Sequence, residues 1–355
     1  MKTSRLNRVL TGMDRLGLTQ ALVTSTESIY YLTGLWVAPG ERLLALKIDR
    51  GECSLFVNRM FAVPRVEGLK LVEFDDADDS VQALAAQVSP GRLGIDKSWP
   101  SRFLLSLMEK RADIKPVNGS APVDEARMLK DAEEAEALRK SSRINDKVTG
   151  LLRKSLEAGE TELDAGRRYA AFAAAKGASG TAFEPLICFG DACAEPHHAT
   201  GKNRLKAGDA VILDVGINMD HALSDMTRTV FFGSATDEQK KVYEIVLAAN
   251  MAAKAAVRPG VKLSDIDRAA RSVIEKAGYG PNFLHRTGHG IGLEVHEPPD
   301  VSAVSPAVAQ PGMVFSIEPG VYLPGKFGVR IEDLVLVTEG GCEVLNDLDR
   351  DFMIV

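Results

Sequence analysis

Apolar positions along the chain fall into two textures. In the first, short β-rich runs alternate with stretches of helical spacing. Leu6, Val9, Leu10, Met13 and Leu16 predict a helix over 3–17 that stops at Gly17. Strands are expected at 21–25, 29–35, 43–48 and 53–57, and at 93–95 between helical patterns at 79–88 and 100–112. This alternation predicts an α/β domain with a largely covered sheet, ending at the linker signal Gly119-Ser120-Ala121-Pro122. The first domain is therefore read as 1–122 and the second as 123–355. From 123 the spacing predicts one long amphipathic helix, broken at Gly159. Further helices open at Thr161, supported by Asp164, and at Thr236, with Gln239 completing a capping box; another runs from Ser264 to Ala277. Polar-studded strands fill the remainder, so the second domain is expected to be α+β.

The stretch 284–299, LHRTGHGIGLEVHEPP, sets His289 and His296 on either side of a Gly-rich apolar run. Ile291, Leu293 and Val295 alternate at period two and predict an extended buried segment. Gly288, Gly290 and Gly292 leave room for something to approach the backbone closely. A lone histidine in such a run is ordinarily a hydrogen-bonded core residue. Its company changes that reading. Asp214 ends the apolar strand Val211-Ile212-Leu213, and Asp225 precedes the returning strand Thr227–Val230, with Gly216 and Asn218 supplying turn chemistry between them. A hairpin would bring the two carboxylates side by side. Glu318 in MVFSIEPGVYL and Glu332 in GVRIEDLVLV repeat the anomaly. A charge in an apolar strand costs several kcal/mol unless it is paired or metal-bound. Four converging carboxylates and one imidazole need positive charge, which two divalent cations would supply. This hard donor set favours Mn²⁺ and admits Co²⁺ or Zn²⁺.

Composition narrows the function classes. A net charge of −6 argues against a nucleic-acid binder. Four sparse cysteines fit a reducing compartment; no signal peptide and no membrane-spanning run are expected, which points to the cytoplasm. Cys188, Cys193, His197 and His198 suggest a zinc cluster, but structural zinc sites use tighter pairs, and Cys188 is read as strand core. His198 and His221 are expected to be solvated or supporting, and His285 to line a pocket. Tyr30, Tyr31 and Trp36 are read as first-domain core.

The ordered set Asp214, Asp225, His289, Glu318 and Glu332 resembles that of the pita-bread metallopeptidases, and TGHGIGLEVHEPP, SDMTRT, SIEPGVY and GVRIED match that family's motifs. IYYLTGL and the RMLK…EEAEALRK segment resemble its creatinase/prolidase subgroup, whose N-terminal domain points to the Xaa-Pro-cleaving branch. The resemblance implies a creatinase-like first domain and a pita-bread catalytic second domain. It implies that Asp214 holds one metal, that His289 and Glu318 hold the other, and that Asp225 and Glu332 bridge. It further implies that Glu318 moves the proton of an attacking water, that His296 meets the scissile carbonyl oxygen, and that His197 contacts substrate near the scissile bond. Arg330 would be a counter-charge beside the carboxylates.

Two departures bear on the substrate. Ala192 stands where the family often has Asn, with Glu195 two residues before His197; and Asp300 stands where some prolidase-like members carry a carboxylate-binding Arg. Arg286 resembles certain bacterial prolidases and is the remaining candidate for that carboxylate. The implied substrates are short proline-containing peptides. A dipeptidase (prolidase) is preferred over an aminopeptidase P acting on longer peptides. A metal-free creatinase-like hydrolase and a non-catalytic binding module are disfavoured by the complete ligand set. A homodimer is expected, with Trp36 or Arg42 as residues that would reach a neighbouring active site.

Overall fold

The computed structural model describes residues 1–50 and 52–355. It divides into two compact units, Met1–Arg127 and Met128–Val355. The first unit alternates α1 (Thr3–Arg15), β1 (Gln20–Val23), α2 (Thr26–Thr33), β2 (Ala45–Asp49), β3 (Glu52–Asn58), β4 (Lys70–Phe74), α3 (Ser80–Ala85), β5 (Gly91–Ile95), α4 (Ser101–Lys110) and β6 (Ile114–Asn118). Its mixed sheet runs β4-β3-β2-β1-β5-β6, with Leu22, Phe56, Leu84, Leu93 and Leu107 among the core side chains. The two outer strands escape the sequence pattern for edge-strand reasons. Pro116 sits in β6, where no neighbour needs its missing N–H, and β4 carries Lys70 and Glu73.

The expected strand at 29–35 is instead the end of helix α2. Ser25 caps it by accepting from the Ser28 N–H at 3.2 Å, and Gly34 closes it in the left-handed region at φ 78°. Ile29 and Leu32, one turn apart, are both fully buried, so tertiary packing overrides the aromatic, β-branched composition. Tyr31 is core as expected, but Trp36 is 40% exposed and meets Tyr30 edge-on.

The long helix expected from 123 is two helices, α5 (Ala121–Met128) and α6 (Ala132–Lys154). The backbone leaves helical geometry between them because Leu129 bridges to Met313 and the Lys130 N–H donates to Gly312 O at 2.8 Å. Asp131 then restarts the helix in a capping box with Glu134. The first unit includes most of α5, so the division falls after Arg127 rather than after Pro122.

The second unit continues with α7 (Glu162–Ala175), β7 (Gly180–Thr181), β8 (Leu186–Phe189), β9 (Ala210–Val215), β10 (Ile217–Met219), β11 (Ala222–Leu223) and β12 (Met226–Phe231). There follow α8 (Asp237–Ala256), α9 (Leu263–Lys276), β13 (Gly288–Gly290), β14 (Glu297–Val301), β15 (Val314–Ile317), β16 (Gly320–Leu323), β17 (Phe327–Arg330), β18 (Asp333–Thr338) and β19 (Gly341–Val344). Thr161 and Thr236 cap α7 and α8 in boxes with Asp164 and Gln239, as their spacing predicts. The strands form sheets ordered β11-β10-β7, β12-β9-β8 and β14-β13-β15-β18-β19, with a β16-β17 ribbon. Val211, Ile212, Phe315, Ile317, Val329 and Ile331 are fully or almost fully buried, so the acids at the ends of these strands sit at the rim of a dry core. Among the described residues, no helix is long and apolar enough to cross a membrane.

Candidate metal centre

Strand register brings the first two acids together. Asp214 on β9 pairs with Thr227 on β12, and Asp225 lies two residues before Thr227, on the same face at period two. Glu318 directly follows β15, and its N–H donates to Thr287 O at 2.8 Å. Glu332 sits between β17 and β18, with its N–H on Thr227 O at 3.0 Å. His289 is the middle residue of β13. The expected extended run through 291–295 is not a strand. The chain bends between β13 and β14, and the pairing register shifts between His289 and Gly290. Close backbone approach is real, however: a Cβ on Gly288 would lie 1.8 Å from Ser316 O.

His289 Nδ1 lies 3.1 Å from Gly290 O, and a carbonyl only accepts, so Nδ1 carries the proton and Nε2 presents a lone pair. That lone pair faces Glu318 Oε1 at 3.3 Å and Asp225 Oδ2 at 3.7 Å. Burial pushes the His289 pKa down to about 4, so the ring is a neutral donor at physiological pH. One potential ligand atom each from Asp225, His289 and Glu332 lie within 4.8 Å of one another. Burial, and then the charges of neighbouring acids, push Asp225 and Glu332 well above the usual carboxylate range, and burial also raises Glu318. Asp225 Oδ1 and Glu332 Oε1 are buried without a hydrogen-bond partner. Buried acceptors of this kind are costly unless something positive meets them, so the residues present fit a metal.

A cavity of about 450 Å³ opens over this group and is lined by all five acids and imidazoles. The other candidates, His197, His296, Arg286 and Arg330, also line it. The His296 ring stands edge-on to His289 at 4.3 Å, and burial followed by the neighbouring His289 and Arg286 lowers its pKa. Arg330 donates to Asp214 Oδ2 at 2.6 Å and to Tyr322 Oη at 2.8 Å. His285 lines the cavity as expected; its Nδ1 donates to Arg286 O at 2.7 Å, so Nε2 accepts the Tyr322 hydroxyl proton at 2.8 Å. The wire His285–Tyr322–Arg330–Asp214 is thus fixed in direction. Arg286 is ion-paired to Asp300, so the candidate for a substrate carboxylate meets one of the two departures from the prolidase-like pattern.

Sequence reasoning missed several residues that build this site. Tyr322 and Thr227 carry hydrogen bonds to the charged groups yet look like ordinary strand residues. Glu162, fully buried, accepts from the N–H groups of Phe189 and Gly201 and pairs with His198 at 2.9 Å, anchoring the loop that carries His197. Its only sequence signal is an acid behind a helix cap, which is commonplace. Cys193 is buried, and its thiol donates to the carbonyls of Cys188 and Ala210, consistent with core cysteines rather than a zinc cluster.

Comparison with known proteins decides the family. Residues 136–339 match Metallopeptidase family M24, and residues 5–129 match the Creatinase/Prolidase N-terminal domain. The chain belongs to metallopeptidase family M24. The M24 chain is 34% identical to an uncharacterized peptidase of Staphylococcus aureus (strain USA300), covering 98% of this chain and 100% of that one. Its fold is similar to that of a recombinant prolidase from Thermococcus sibiricus, with a TM-score of 0.94, 33% identity, and 100% and 99% of the two chains covered. It is also similar to a Xaa-Pro dipeptidase from Bacillus anthracis, with a TM-score of 0.93, 27% identity and full coverage of both chains. The motif resemblance and the two-part fold it implied are borne out: a creatinase-type α/β domain followed by an M24 domain. As an M24 metallopeptidase the protein is an enzyme that takes divalent metal ions.

Proposed function

We propose that this M24 enzyme hydrolyses the Xaa-Pro bond of short peptides, with two divalent cations held by Asp214, Asp225, His289, Glu318 and Glu332. The observation that carries the reading is the pair of buried, partnerless oxygens, Asp225 Oδ1 and Glu332 Oε1, beside the His289 lone pair. Glu332 Oε2 accepts from the Thr227 hydroxyl at 2.8 Å and Asp225 Oδ2 lies 3.7 Å from His289 Nε2, so each carboxylate keeps a second oxygen that a cation could take. Four carboxylates and one imidazole favour Mn²⁺. The ions, when bound, supply Lewis acidity that polarises the scissile carbonyl and acidifies water.

The side chains divide the remaining work. Glu318, held by the Ser316 hydroxyl at 3.1 Å, takes the proton of the attacking water at its carboxylate and passes it to the departing proline nitrogen. His296, beside His289, donates from its ring to the carbonyl oxygen as negative charge builds there. His197 meets the substrate from the opposite loop. Arg330, buried and clamped between Asp214 and Tyr322, fixes the Asp214 carboxylate rather than reacting. Phe183, Leu186 and Val295 supply an apolar wall for the proline ring, which has no N–H to satisfy.

Arg286 is the group available to a dipeptide's terminal carboxylate, and it favours the prolidase reading. Its ion pair with Asp300 is the observation that favours the second reading, an aminopeptidase P, because a compensated guanidinium attracts a carboxylate less. The test is cleavage of a Xaa-Pro dipeptide and a Xaa-Pro-Xaa tripeptide by Mn²⁺-loaded enzyme, with products identified by mass. Dipeptide-only cleavage, weakened by Arg286→Ala, is expected. Equal or faster tripeptide cleavage would move the assignment to aminopeptidase P, and no cleavage of either would overturn the Xaa-Pro reading.

A further inference from the structure

Arg228, in the run Asp225-Met226-Thr227-Arg228-Thr229, points away from the metal cavity into the core, where it is 1% exposed. A guanidinium has five N–H donors, and the contacts of Arg228 account for all of them. Nη1 donates to Thr227 O at 2.9 Å and to Glu332 O at 2.6 Å. Nη2 donates to Asp333 Oδ1 and Leu348 O, both at 2.8 Å, and Nε to Asp349 O at 3.1 Å. The other oxygen of fully buried Asp333 accepts from Lys254 Nζ and Arg350 Nε, each at 2.6 Å.

Two of the backbone segments gripped this way, 225–228 and 332–333, carry the two carboxylates with partnerless oxygens. From these contacts we infer that Arg228 is a positioning residue of the metal centre: its planar fork sets the spacing between the Asp225 and Glu332 segments. It does so from behind the strands, without touching metal or substrate. Asp333 orients the fork, and Lys254 and Arg350 orient Asp333. The inference rests on the dinuclear reading above. Geometry is what the guanidinium supplies. Lysine keeps the charge but offers three donors from one atom, which cannot hold the Thr227 and Glu332 carbonyls and Asp333 in one plane.

The test is calorimetric titration of metal-free protein with Mn²⁺, together with urea unfolding of the same metal-free samples. Wild type is expected to take up two ions. Arg228→Lys is expected to weaken at least one of them by about 10- to 100-fold, the range seen when groups behind metal ligands are removed. Asp333→Asn keeps the backbone bonds of Arg228 and should cause a smaller loss; if Arg228→Lys does not fold, this variant carries the test. Lower urea stability with unchanged Mn²⁺ affinity, in whichever variant folds, would reduce Arg228 to a structural residue and overturn the inference. Wild type failing to take up two ions would overturn the dinuclear reading itself.

Discussion

Buried acids in this protein meet their desolvation cost in three ways. Asp333 is surrounded by Arg228, Lys254 and Arg350, which hold its pKa below the usual carboxylate range despite its complete burial. Asp225 and Glu332, in the proposed metal site, would be met by cations. Asp146, on α6, relies mainly on hydrogen bonds: it accepts the Asp347 N–H at 2.6 Å, and burial, only partly offset by the charge of Arg228, pushes it up to about 6. The sign of its pH effect follows. A carboxyl of raised pKa binds its proton more tightly in the folded state, so stability falls as pH rises from about 4 to about 6 and is then flat. Asparagine mimics the protonated form. Asp146→Asn should therefore gain on wild type by up to about 3 kcal/mol between about pH 4 and about pH 7. Urea unfolding in chelator at the two pH values checks this, and a pH-independent difference would refute it. In the sequence, Glu332 stood out as an acid in an apolar strand, and it lines the cavity. Asp333 beside it looks the same but carries no local signal of its role, because its three partners come from 79, 105 and 17 residues away.

At the scale of elements, the segment between α5 and α6 is tied to β14 and to the turn before β15. Lys130 pairs with Glu297, the first residue of β14, and both side chains are almost fully buried. Breaking such a pair from one side is costly because the other charge stays in the core. Lys130→Met should destabilise by about 3–5 kcal/mol, while Lys130→Met with Glu297→Leu should recover much of the loss. Thermal unfolding of the single and double variants decides it; equal losses would mean that shape rather than charge matters there. Elements with local signals were legible in the sequence: the capped helices at Thr161 and Thr236 and the paired strands around Asp214. The break at 129–131 and the bend at 291–296 were not. Both are set by contacts with Gly312–Val314 and Glu294–Glu297, where long-range backbone bonds and a buried ion pair override a continuous local pattern.

For the molecule as a whole, each compact unit has its own apolar core, and the metal-binding candidates all lie in the second. Mn²⁺ that binds only the folded state stabilises by about 2.7 kcal/mol for each site at a hundredfold excess over Kd. Scanning calorimetry of metal-free and Mn²⁺-loaded protein should therefore raise the melting of the second unit and leave the first behind. A single transition that moves as one would show that the units unfold together. The two-unit division and the location of the chemistry were readable from texture and motif, whereas the fit of strand to strand was not. One such fit constrains how this chain can diverge. Because the β13–β14 pairing shifts between His289 and Gly290, the imidazole faces the carboxylates in one phase of the pleat only. A single-residue insertion or deletion within 288–290 would turn His289 to the opposite face of its sheet. Length variation in relatives of this protein should accumulate elsewhere, in exposed connections such as 302–304, while this strand drifts by substitution alone.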